Sequence, residues 1–139
     1  MRGQSSTEFL ILVAGILLTA TSLLYLGLEN NELSTVLQAA RDGTENAIAT
    51  IEIKYECSVN IDNLSFDEGN IIISVILRSA APENNCEIDL RDNFIKGTIK
   101  GCALNYIQNA ISGHVSITSP IKTAFHTYNV LVNIKEVTK

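Results

Sequence analysis

Glu8 is the only charged residue between Arg2 and Glu29, and it stands directly before residues 9–28, a run of 20 residues without a charge. A carboxylate there is either a flanking acid just outside an apolar helix or the partner of a positive group that must be neutralised beside one. Other chemistry-bearing residues are sparse. Cys57, Cys86 and Cys102 contain no CxxC pair, which argues against zinc. In an exported domain they would give one disulfide and one free thiol, with three pairings open; otherwise they are three buried thiols. His114 and His126 sit in Ser- and Thr-rich strand patterns and read as surface or hydrogen-bonded histidines. Glu83, Glu87, Asp89 and Asp92 cluster about a loop and read as solvated charge, with a bound cation as the alternative. "GTIKG" (residues 97–101) lacks the spacing of a phosphate-binding loop. Asn63-Leu64-Ser65 is the one N-glycosylation sequon. Nothing here carries catalysis, so the expectation is a non-enzyme without a cofactor.

The elements that hold these residues follow from periodicity. A 20-residue helix is about 30 Å long, the thickness of a bilayer's hydrocarbon core. Beyond Glu29, Leu33, Leu37, Ala40, Thr44, Ala47, Ile51 and Tyr55 recur at steps of three and four, which predicts an amphipathic continuation to about Tyr55. Asn30, Asn31 and Gly43 are its weak points, and no proline precedes Pro82. Val59, Ile61 and Phe66, then residues 71–77, flank Asp67-Glu68-Gly69-Asn70 and predict a β-hairpin, the second strand lying inside a sheet. Residues 79–85 read as a loop and residues 89–111 as a helix, with Gly97 and Gly101 permitting close packing on the sheet. Residues 114–120 and 123–137 predict a second hairpin. The fold class is therefore α+β: a long N-terminal helix, about four antiparallel strands and one further helix.

The chain has 139 residues, 10 basic and 15 acidic, with a net charge of −5. That balance excludes nucleic acid as the expected partner. Arg2 before the apolar run and Glu29 and Glu32 after it favour a cytoplasmic N-terminus and an exported acidic domain.

Gly3-Gln4-Ser5-Ser6-Thr7-Glu8-Phe9, behind Arg2 and ahead of the apolar run, resembles the class III signal peptide of archaeal type IV pilin-like proteins. In that family a short basic leader ends in glycine, and glutamine, a Q-x-S-x-E-F motif and a hydrophobic helix follow. Gly3, Gln4, Ser6, Glu8 and Phe9 all match; the resemblance covers about the first 25 residues and the downstream domain points to no family. It implies four segments: a leader at 1–3, a membrane and filament-core helix at 4–28, its amphipathic continuation at 29–55 and a globular head at 56–139. It implies that a prepilin peptidase cuts between Gly3 and Gln4, and that Glu8 sets axial register by meeting the new α-amino group of Gln4. The implied partners are identical subunits, the peptidase, an assembly ATPase with its membrane platform, and lipid before assembly. The expected function is a structural subunit of an extracellular pilus, held in the cytoplasmic membrane as a precursor and displayed on the cell surface when assembled. A minor pilin or pseudopilin-like component, or a singly anchored surface binding protein, is the alternative.

Overall fold

The computed structural model describes residues 2–55, 57–79, 88–113 and 119–137. The elements are α1 (Arg2–Tyr55), β1 (Cys57–Asp67), β2 (Asn70–Ser79), α2 (Ile88–Ser112), β3 (Ile121–Lys122) and β4 (Thr127–Glu136). The fold is α+β, as expected. Two compact units divide it, Met1–Leu33 and Ser34–Lys139. The second half of α1 thus belongs to the globular unit, whose boundary falls at Ser34.

In the globular unit α1 buries Val36, Ala40, Thr44, Ala47 and Ile51 along one stripe, close to the predicted one but carried by Val36 in place of the half-buried Leu33 and Leu37. Thr44 is fully buried, and its hydroxyl donates to the Ala40 carbonyl at 2.7 Å, so no polar atom is orphaned by the burial. Neither Asn30, Asn31 nor Gly43 interrupts the helix. Gly43 meets α2: a methyl group on it would lie 2.7 Å from the Cys102 carbonyl oxygen. Close packing thus falls at Gly43. Gly97 and Gly101, expected to lie against the sheet, have open space where a Cβ would be. Nearby, the Asn46 amide donates to the Tyr106 hydroxyl at 3.1 Å.

The first hairpin forms as predicted. Glu68 (φ 44°) and Gly69 (φ 85°) make a two-residue turn with both residues left-handed, whose twist suits the flanking strands. The β1–β2 pairing is antiparallel from Cys57↔Ser79 to Asp67↔Asn70 and shifts between Ile61 and Asn63, leaving Asp62 as an extra residue. The sheet order is β1-β2-β4-β3. β4 runs parallel to β2, from Asn70↔Asn129 to Leu77↔Glu136, so the expected all-antiparallel sheet is in fact mixed. The reason is α2, 25 residues long. Such a crossover returns the chain to the end where β2 began, and only a parallel strand can start there. β3 and β4 form an antiparallel pair reduced to Ile121↔Tyr128 and Lys122↔Thr127. Residues 114–118 of the predicted second hairpin lie outside the described residues.

Alternation sorts the strands into two faces. Val59, Ile71, Ile73, Val75, Tyr128 and Val130 are buried and form the core with Ile95, Ile99, Ala103 and Ile107 of α2. Each fully buried isoleucine or valine stabilises the fold by about 1.5–3 kcal/mol. The other face carries Asn60, Asn63 and Ser65 of β1, Ile72, Ser74 and Ile76 of β2, and Asn129, Leu131, Asn133 and Lys135 of β4. α2 ends at Gly113 (φ 69°), whose N–H donates to the Asn109 carbonyl at 2.9 Å, a left-handed cap.

Candidate functional site

The first half of α1 is where structure and composition depart furthest from a soluble helix. Every leucine and isoleucine from Leu10 to Leu28 is between 54% and 72% exposed, and Phe9 is 66% exposed. Burying one such side chain is worth about 1.5–3 kcal/mol, so holding ten of them in water is disfavoured by up to roughly 15–30 kcal/mol. That exceeds the ~5–15 kcal/mol net stability of a typical domain. The helix is long and apolar enough to cross a membrane, and none of its apolar window is buried within the chain.

The Thr and Ser side chains in this stretch bond back to their own helix. The hydroxyls of Thr19, Thr21 and Ser22 donate to the carbonyls of Gly15, Leu17 and Leu18 at 3.1, 2.9 and 2.8 Å. A hydroxyl that bonds back to its own helix asks nothing of its surroundings, which is the condition for a place in lipid or in a dry bundle of helices. The signal for this in the sequence is local: Thr or Ser inside a charge-free helical run.

Glu8 lies exposed one turn after Gln4 on the same helix, and Ser6 and Phe9 are exposed beside it. Four residues of α-helix rise about 6 Å, so a charge on the backbone nitrogen of Gln4 would fall within reach of a Glu8 carboxylate. Gly3 and Gln4 are themselves within α1. Positions 3, 4, 6, 8 and 9 therefore share one short helical segment at the start of the apolar run.

The other candidates are dispersed. Cys102 is a half-buried free thiol on α2, Cys57 opens β1 and Cys86 lies outside the described residues. Asp89 and Asp92 fall in α2, while Glu83 and Glu87 lie outside the described residues, as does His114. Among the described residues no group of three or more His, Cys, Asp and Glu could hold a metal ion. His126 is a packing residue. Its ring stands edge-on to Phe66 at 5.7 Å, and its Nδ1 is 3.3 Å from the hydroxyl of the buried Tyr128. Thr123 fixes that corner, its hydroxyl accepting the N–H groups of Phe125 and His126 at 3.3 and 3.0 Å. Asn63 is exposed beside the β1 bulge. No family model matches the chain, nor does any curated protein or solved structure.

Proposed function

We propose that this protein is a structural subunit of an extracellular filament of the archaeal type IV pilus kind. In this reading a membrane prepilin peptidase removes residues 1–3 and leaves the apolar helix on the protein. The helix holds the subunit in the cytoplasmic membrane until an ATPase-driven platform moves it into a bundle of identical helices. The observation that carries the reading is the uncovered, charge-free helix with self-bonded hydroxyls, preceded at the motif spacing by a single acid. Lipid is already apolar, so area burial alone does not draw such helices together; close packing and specific polar pairs must do it. Glu8 supplies one such pair. Its carboxylate neutralises the new α-amino group of Gln4, in its own or the neighbouring subunit, and the pair between neighbouring subunits forms in one axial register only.

The test is an N-terminal mass measurement on the native protein with electron microscopy of cell-surface preparations. A chain beginning at Gln4 and filaments built from it support the reading. An intact leader would overturn it. A chain beginning at Gln4 without filaments of its own would shift the assignment to a minor component of another filament.

A further inference from the structure

The sequon Asn63-Leu64-Ser65 acquires a specific setting once the strands are paired. Asn63 is exposed at the point where β1 slips register, and Asp62 is the residue left over. Asn63 pairs with Ser74 of β2, and Ser74 pairs with Asn133 of β4. The three side chains form one row across the outer face of the sheet, pointing away from the core. The row spans two strand spacings, about 10 Å. On one side runs a parallel row of Ser65, Ile72 and Leu131, the last 42% exposed. On the other, Lys135 Nζ meets Asp62 Oδ2 at 3.0 Å. Two amides and a hydroxyl therefore lie in line beside an apolar strip.

We infer that Asn63 accepts an N-linked oligosaccharide and that its first sugars lie along the Asn63–Ser74–Asn133 row. This rests on the reading that the globular unit lies outside the cell. In the transfer, Asn63 Nδ2 forms a bond to the anomeric carbon of a lipid-phosphate-linked oligosaccharide. The bond from that carbon to the phosphate oxygen breaks, the lipid phosphate leaves with the electron pair, and the amide nitrogen releases one proton to a base of the transferring enzyme. Once attached, the sugar finds partners of its own chemistry. Ser74 and Asn133 offer donors and acceptors for hydroxyl groups. Ile72 and Leu131 offer apolar ground for the C–H faces of the rings, and the sugar removes Leu131 from water.

The experiment uses the native protein from the cells that make it, cut with trypsin and read by mass spectrometry. The peptide between Lys54 and Arg78 carries a sugar mass on Asn63. Asn63→Gln and Ser65→Ala abolish it, and Ser65→Thr retains it. An unmodified peptide as the main species overturns the inference. The N-terminus, read in the same sample, separates this outcome from the filament reading: an unmodified peptide on a chain beginning at Gln4 removes the glycan and leaves the filament standing. The placement of the sugar is tested with Asn133→Cys and a bulky maleimide. Labelling is expected to be several-fold faster when Asn63→Gln is combined with it, and equal rates overturn the placement.

Discussion

Gly43 and Ala103 stand closer than any side chain on the first would permit: a methyl group on Gly43 would lie 2.9 Å from the Ala103 Cα. The atoms in the way are backbone, on Ala103 and Cys102, so relief requires α1 and α2 to separate. Gly43→Ala recovers about 1 kcal/mol of helix propensity but meets an overpacking penalty of about 1–3 kcal/mol, and the larger Gly43→Leu meets more. Thermal unfolding of the full chain in detergent should show a lower midpoint for both, with Leu the worse. Gly97→Ala and Gly101→Ala, where a Cβ meets open space, should each raise stability by about 0.5–1 kcal/mol.

The β1–β2 turn makes a second opposed pair. Gly69 has φ 85° and approaches the Thr127 carbonyl oxygen to within 2.8 Å of where a Cβ would be. The Asn129 N–H also donates to the Gly69 carbonyl at 2.9 Å, tying the turn to the start of β4. Gly69→Ala is expected to destabilise by about 1–3 kcal/mol. Glu68, also left-handed, is the opposite case: Glu68→Asn places the residue that tolerates this conformation and should stabilise by a few tenths of a kcal/mol up to about 1. Denaturant midpoints of the two variants, measured side by side, should move in opposite directions.

Cys102 has a free thiol, while its carbonyl oxygen, not its sulfur, faces Gly43. Digestion without reduction, after alkylation of the unfolded protein, should return Cys102 as an alkylated peptide. A disulfide-linked Cys102 peptide would contradict the structure. Cys102→Ala removes a small half-buried group and is expected to change stability by less than about 1.5 kcal/mol.

Locally encoded features were readable from the residues alone. The apolar run needs only its length, the β1–β2 hairpin only alternation and Gly69, and α2 only its apolar spacing. What escaped depends on which distant segments meet. The direction of β4 follows from where the α2 crossover delivers the chain, and no residue in β4 encodes it. Gly43, Gly97 and Gly101 look equivalent in sequence; only the packing of α1 on α2 shows that the first is required to be small. Glu68 was hidden because its left-handed φ is set by the two-residue turn, not by its own preference. At the candidate site the order of Gly3, Gln4, Ser6, Glu8 and Phe9 is covalent and so fully legible, whereas the setting of Asn63 exists only after three strands pair.

Glu8 carries the central claim. Substituting Glu8→Ala or Glu8→Gln removes the charge while leaving Gly3, Gln4, Ser6 and Phe9 in place. The decisive measurement compares surface filaments by electron microscopy, and the mature N-terminus by mass spectrometry, between the unsubstituted protein and Glu8→Ala. The expected result is a chain that still begins mostly at Gln4, with filaments scarce or absent. Abundant normal filaments from the Glu8→Ala protein would contradict the role of Glu8 in register, and an unsubstituted protein that keeps residues 1–3 would contradict the filament reading itself.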